Sequence, residues 1–420
     1  MGKTFAEKVL SKASGRDVQA EDVVIVQPDF CMSHENTSSI AQTFRKTGAK
    51  NVFDPSKIVV IFDHTVPPST EGYAKSQKLA AEFVREQGIK HFYDMNSFSG
   101  ICHQMMCQEG FAAPGLVIVG TDSHTCTCGA LGSFATGIGR GEMAAIWACG
   151  EIWLKVPQSI KITVTGSFKP GVYAKDLILK IIGDIKADGA DYQSVEFHGQ
   201  GISNMSIAER MTLCNMGIEM GAKNAVCKPD EKTRQMLKGR QKTSLSEEIW
   251  ADDDATYMAE YDYNLDELTP VIAKPETVDN VTGIESVEGT PIHQAFIGTC
   301  TNGRLEDLRI CASIMKGRKV QVKTIVIPAS CEIYTAAISE GLITIFLEAG
   351  CMISHPGCGP CIGVSGGVLA EGEVCISTAN RNFRGRMGSK YSDIYLASPG
   401  SVAASAVSGR ITDPRRLINQ

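Results

Sequence analysis

Short β-branched runs separated by longer amphipathic stretches set the pattern of this chain. Val23–Val26, Ile58–Phe62 and Leu116–Val119 are continuous apolar segments of strand length, and such runs predict buried strands. Between the last two, residues 72–87 carry apolar positions at helical spacing, and Gly88 stands where such a helix stops. Near Lys155–Ser159 the texture changes. Ile160–Thr165 alternates apolar and polar side chains, Gly166 and Pro170 break the chain, and helical spacing resumes over Ala174–Ile185 and again near Ser206–Met220. The acidic stretch from Trp250 through Asp252–Asp254 to Asp266 reads as a solvated loop, and it has neither the spacing nor the glycine of an EF-hand calcium site. Beyond Pro270 and Pro275 come a strand at Ala295–Ile297, a helix near Arg304–Met315, and strands at Thr324–Ile327 and Val374–Ser377. Strands alternating with helices imply parallel sheets flanked by helices. The expectation is three α/β units, residues 1–158, 159–284 and 285–420, with mostly parallel sheets.

A chain of 420 residues exceeds one hydrophobic core, which agrees with several units. The net charge of −6 argues against non-specific binding to nucleic acid or anionic membranes. Lys316–Lys319 reads as a solvated helix end. Fifteen cysteines is an odd number, and several, such as Cys149 and Cys375, lie in apolar runs. Met1–Lys8 opens an amphipathic helix rather than a secretory leader, and no apolar run reaches spanning length. Reduced thiols in a cytoplasm fit this pattern.

Candidate chemistry gathers in turns. Gly298–Asn302 holds Cys300, and His355–Cys361 holds Cys358 and Cys361, two thiols spaced to reach one centre. A closed zinc site wants four ligands. Cys351 is a candidate fourth ligand, but it lies in an apolar run that reads as a buried strand. Three thiolates on a four-iron cluster would leave one iron open to substrate. A thioredoxin-like pair normally opens a helix, whereas Pro356–Pro360 looks like an irregular loop.

Histidines stand beside acids or amides at His34-Glu35, Asp63-His64, His103-Gln104 and Asp122-Ser123-His124. A histidine oriented by a carboxylate can move a proton near neutral pH. Polar residues just past strand ends are where open α/β sheets place their chemistry. Asn215 and Glu219 lie four apart on a helix and face one way. Asn380, Arg381, Arg384 and Arg386 share a loop suited to a substrate with two or three carboxylates. An RNA-contacting loop is the rival, and the acidic net charge weakens it. The glycines at 137, 139 and 141 miss the dinucleotide spacing, since Glu142 falls where the third glycine belongs.

Six motifs taken together resemble the aconitase superfamily of iron–sulfur hydro-lyases: Asp63-His64, Gly120–Thr125, Asn215–Glu219, Gly298–Asn302, Cys358–Gly363 and Asn380–Arg386. Within it they resemble the two-subunit branch acting on isopropylmalate- and homoaconitate-type hydroxy acids. The resemblance implies an aconitase-like core without the swivel domain. It implies one [4Fe–4S] cluster per subunit on Cys300, Cys358 and Cys361, with the open iron binding substrate. It implies that His64 with Asp63 protonates the leaving hydroxyl, supported by His103 with Asp122 and His124 with Glu219. Ser123, Arg381, Arg386, Asn380 and His34 match substrate-contacting positions, while Asn215 and Asn302 match residues lining the cluster. The two-subunit members usually show His-Asp where this chain has His34-Glu35. No counterpart of the swivel domain's serine base precedes Gln420, so the expectation is a separate small subunit in a heterodimer or heterotetramer. Leucine biosynthesis is the first pathway expected. Homoaconitate and methyl- or dimethylmalate are the alternative substrates, and an iron-responsive RNA-binding protein is the alternative of another class.

Overall fold

The computed structural model describes residues 2–243 and 249–418. Three sheets account for most of its strands. The first is parallel throughout, in the order His91–Tyr93, Ile58–Ile61, Phe30–Ser33, Val117–Gly120, Phe134–Gly137. Its apolar strand Ile58–Ile61 is buried along its whole length, as an unbroken apolar run between helix layers requires. Val23–Val26 differs from that expectation. It pairs antiparallel with Ile152–Lys155 in a separate two-stranded ribbon. One face of the ribbon is open, so Val23 and Ile25 are exposed while Val24 and Val26 are buried.

The second sheet is also parallel, in the order Asn224–Cys227, Ser194–His198, Ser159–Thr165, Ala259–Asn264. Its last strand lies inside the stretch read as an acidic loop. Along it Ala259, Tyr261 and Tyr263 turn inward, while Glu260, Asp262 and Asn264 are exposed. The acids that suggested a loop thus occupy the solvent face of an edge strand, where charge discourages further pairing.

The third sheet has seven strands: Val281–Gly283, Val271–Ala273, Asp393–Ala397, Val374–Ser377, Gln294–Ile297, Lys323–Val326 and Met352–Ile353. Pairing is antiparallel at its first two interfaces and parallel in the rest. This sheet begins at Val271, upstream of the division drawn at residue 284.

Helices follow the spacing of apolar positions. The expected helix over 72–87 is Glu71–Glu86, started by Thr70, whose hydroxyl accepts from Tyr73 N. Ala174–Ile185 has the bounds its periodicity gives. Ser206 opens the helix Ile207–Met216 with a capping box to Glu209, and a 3₁₀ turn at Gly217–Met220 follows. Asn215 and Glu219 therefore do not share one α-helix. At the junction, a side chain on Gly217 would meet the Ala225 Cβ at 2.5 Å. Cys375 is buried, but Cys149 is exposed at the end of the helix Arg140–Cys149, because helical phase turns it outward from its apolar neighbours. No described cysteine is paired in a disulfide. No described helix is long and apolar enough to cross a membrane.

One apolar core joins the three sheets. It runs from Met32 and Ile61 through Met105, Leu177 and Leu213 to Phe296, and it ends on Cys358 and Cys361. The 3₁₀ turn Ser123–Leu131 sets the first sheet against the second. A Cβ at Gly129 would stand 1.8 Å from the Ala225 carbonyl oxygen, so only glycine lets the two backbones approach this closely. Gly129→Ala is expected to destabilise the chain by about 3 kcal/mol through overpacking. A lower urea midpoint with an unchanged slope checks it, and a midpoint equal to the parent's contradicts this account.

Candidate active site

Asp63 and His64 follow the end of the strand Ile58–Ile61, and Asp122 and His124 follow Val117–Gly120. Because those strands are parallel, their C-terminal ends deliver all four residues to one edge of the sheet. Asp63 is fully buried. Its Oδ1 lies 2.6 Å from His64 Nδ1, and its Oδ2 accepts from Cys102 N at 2.7 Å. The second ring nitrogen, His64 Nε2, lies 3.2 Å from Asp122 Oδ2. Asp122 Oδ1 is 2.7 Å from His103 Nε2 and accepts from His124 N at 2.8 Å. His124 Nε2 lies 2.6 Å from Glu219 Oε1. Arg381 Nε donates to both oxygens of Glu219, at 2.8 and 3.1 Å. The three expected histidine–acid pairs are thus one connected run from Asp63 to Arg381, with Asp122 as the shared member.

The charges follow from this geometry. Burial opposes ionisation of Asp122, but His103 and the hydrogen bonds from His103, His124 and His64 hold its carboxyl well below the usual range. Burial also disfavours charge on His64. Cys358, Asp63 and the hydrogen bond to Asp122 outweigh it and raise His64 well above its ordinary value. Burial would likewise raise Glu219, yet His124 and Arg381 lower it.

His34 stacks on His64, with ring centroids 4.0 Å apart and planes 15° off parallel. Glu35 does more than its sequence position suggested. Its carboxylate accepts from His64 N at 3.3 Å and from Thr65 N at 2.8 Å, anchoring the backbone that carries His64. Burial works against its charge, but His34, whose Nδ1 lies 3.5 Å from the carboxylate, and the charge of His64 hold Glu35 at about 2.

The thiols arrive on turns of unusual backbone. Thr299, just before Cys300, has φ +73°, and Gly359 and Gly363 around Cys361 have φ +53° and +70°. A β-branched residue in that region is strained. The turn is held by Arg304, a buried guanidinium that sequence reasoning did not single out; it donates to Cys300 O at 2.8 Å and to Thr212 Oγ1 at 2.7 Å. Cys358 N donates to Asp63 O at 2.8 Å, and its Sγ lies 3.9 Å from Asp63 Oδ2. Asn380 sits between the other two thiols, with Nδ2 3.4 Å from Cys300 Sγ and Oδ1 4.0 Å from Cys361 Sγ. The same Nδ2 donates to Asn215 Oδ1 at 3.1 Å. Cys351 shares an apolar cluster with Cys300, but its Sγ packs on the Met315 sulfur at 3.8 Å.

The loop arginines divide. Arg386 Nη2 reaches 4.0 Å from Cys361 Sγ, and its Nε is buried without a partner among the described residues. Arg381 faces the histidines with its Nη1 and Nη2 unpartnered among the described residues. Arg384 instead pairs with Glu276 at the surface and leaves the site. Asn302 donates to Asp307 at 2.9 Å and leaves Oδ1 buried and unpartnered. Ser123 is half-buried and lines a cavity of about 350 Å³ with Thr136, Glu142 and Ile218. Another cavity, of about 610 Å³, has mainly apolar walls such as Met211, Met236 and Ile333 and includes none of these histidines or thiols.

The donor set fits an iron–sulfur cluster. Burial pushes Cys300 up to about 12 and Cys358 well above the ordinary thiol value, so bound metal is what would keep these sulfurs as thiolates. Unpartnered buried atoms on Asn302, Arg386 and His103 are groups that a ligand would satisfy.

With a folded value near 2 against an ordinary 4.5, Glu35 contributes stability that is present above about pH 4.5 and lost as the pH falls toward 2. The stability gap between the parent and Glu35→Gln is therefore widest near neutrality and closes on acidification. Urea unfolding of the isolated chain across pH measures it; a gap independent of pH contradicts the assignment.

Comparison with known proteins agrees with this geometry. The sequence pattern of the aconitase family (aconitate hydratase) matches residues 7–291 and 284–409. The chain is 51% identical to 3-isopropylmalate dehydratase large subunit 1 of Methanopyrus kandleri, covering 99% of each chain. It is 52% identical to a probable methanogen homoaconitase large subunit of Methanosarcina mazei, over 94% of this chain and 100% of that one. Among solved structures it resembles Thermococcus kodakaraensis aconitase X in its holo-form, with a TM-score of 0.55 and 12% identity over 91% of this chain and 90% of that one, a likeness of fold. A matching pattern over most of the sequence, joined to half-identical relatives along its length, establishes that the chain belongs to the aconitase family.

Proposed function

We propose that this chain is the large, cluster-bearing subunit of a hydro-lyase that removes and re-adds water on a small 2-hydroxy di- or tricarboxylate. 3-Isopropylmalate, on the route to leucine, is the first substrate. The observation that carries the reading is the meeting of three buried thiols with one connected run of histidine–carboxylate pairs. Homoaconitate is the second reading, supported by equal similarity to a relative of that name.

Cys300, Cys358 and Cys361 would hold one [4Fe–4S] cluster, with Asn380, Asn215 and Asn302 beside it. When bound, the cluster supplies an open iron position that acts as a Lewis acid toward substrate oxygens. The chain's own residues do the rest. His64 is oriented through Nδ1 by Asp63, and its Nε2 exchanges Asp122 for the leaving hydroxyl, to which it gives a proton. The raised basicity of His64 keeps that proton in place near neutral pH. His103 and His124 fix Asp122 and Glu219, so neither carboxylate swings away as the substrate enters. Arg386 and the free edge of Arg381 take carboxylates in the fork geometry that guanidinium provides. Ser123 and His34 complete the substrate contacts.

Removing a proton beside a carboxylate also needs a base. A small subunit with a swivel domain and a serine would bring it, in a heterodimer or heterotetramer; the words "large subunit" in the relatives' names support such a partner. Fifteen cysteines without a disulfide among the described residues suit a reducing cytoplasm.

Prepared without oxygen and mixed with a small subunit, the parent chain should show broad visible absorption and turn over isopropylmalate or homoaconitate. Alone it should be inactive, and robust turnover by the single chain contradicts a base supplied by the partner. Cys358→Ser should remove both absorption and turnover; an unchanged spectrum rules out this ligand set. Arg386→Lys should keep the absorption while KM rises roughly tenfold, because an ammonium cannot reproduce the fork. Parent-like kinetics would place Arg386 outside the site.

A further inference from the structure

Lys175 is the second residue of the helix Ala174–Ile185, and none of its surface reaches solvent. Lysine is almost never fully buried unless paired. Here the Nζ donates to two neutral carbonyls, Thr378 O at 2.9 Å and Ala379 O at 2.6 Å. Its setting opposes a cation. Burial draws Lys175 down to about 7, against the pull of Cys300, Asp307, Cys361 and Glu219. The first turn of a helix is also the positive end of its dipole. None of the pairs in the histidine run uses this side chain, so its burial calls for another reason.

The gripped carbonyls supply one. They immediately precede Asn380 and Arg381. Thr378 also locks onto the cysteine turn: Gly298 N donates to Thr378 Oγ1 at 2.9 Å, and that hydroxyl donates to Gly298 O at 3.0 Å. Thr378 N donates to Phe296 O at 3.0 Å. The Lys175 Nζ thus reaches from the second sheet's helix to the point where two turns of the third unit touch. One turn carries Cys300, and the other carries the Asn380 amide that lies against Cys300 and Cys361 and the Arg381 that binds Glu219.

We propose that Lys175 is a positioning residue that holds the Cys300 turn and the Asn380–Arg381 loop in register by gripping the Thr378 and Ala379 carbonyls. The idea rests on the hydro-lyase reading only for its effect on turnover. Lys175→Met keeps most of the length of the side chain and removes its donors. In the cluster-free chain, amide exchange in segments 296–302 and 376–386 should quicken about tenfold, because the two hydrogen bonds that tie them to the helix are lost. Exchange in the three sheets' other strands should match the parent. Lys175→Gln, one atom shorter but still carrying N–H donors, should fall between the two. In the reconstituted pair, Lys175→Met should retain the visible absorption while KM for the hydroxy acid rises about tenfold, since Arg381 is no longer held for its fork.

Parent-like exchange in both segments overturns the proposal, and so does exchange that quickens uniformly over the chain. Failure of both variants to fold makes Lys175 a prop of the whole structure and overturns it too. If the unsubstituted pair shows no hydro-lyase activity, the functional reading fails while the exchange result still decides the role of Lys175.

Discussion

One half-buried carboxylate holds the candidate site together. Asp122 faces His64 and His103 with its two oxygens and accepts from the backbone of His124. An ionised carboxylate removed from water is costly unless its lone pairs are met by donors. Three histidine contacts meet them here, and that requirement joins what would otherwise be separate pairs. Its removal would leave His64 without its second partner and would free the turn that carries His124 toward Glu219.

The thiol side is organised differently. There the protein relies on strained or left-handed backbone around the cysteines and on buried cations that grip carbonyl oxygens, with Arg304 on the Cys300 turn and Lys175 on the loop before Asn380. A buried cation bound to neutral oxygens stays short of full compensation, so it attracts negative charge placed nearby. That would suit the thiolates and polycarboxylate proposed for this site. The acid–histidine run and the thiol turns meet at Asp63, whose backbone and side chain face Cys358 while its other oxygen holds His64.

Much of the fold was legible locally. Ala174–Ile185 and Val374–Ser377 have the bounds their patterns give, and the pairs His124–Glu219 and His103–Asp122 are hydrogen-bonded as the family resemblance implied. The misreadings share a cause. The strand Ala259–Asn264 carries acids because its outer face is at a sheet edge, and Val23–Val26 exposes two residues because it pairs in a ribbon outside the main sheet. Composition reports how much of a segment faces water, but it does not say whether the wet residues form a loop or one face of a strand. Arg384 shows the same limit: its sequence neighbours serve the site while it pairs with Glu276 at the surface.

The sequence alone determined the kinds of chemistry available: three thiols in two turns, histidines beside acids, and arginines in one loop. It also determined the alternation that makes parallel sheets, because helical and strand periodicity depend on neighbours a few residues apart. Tertiary structure decided which of these groups share partners. Asp122 meets a histidine 58 residues away, Asn215 meets Asn380 across 165, and Lys175 grips carbonyls more than 200 residues on. Contacts at that range are set by the packing of whole sheets through one core, and no local pattern encodes them.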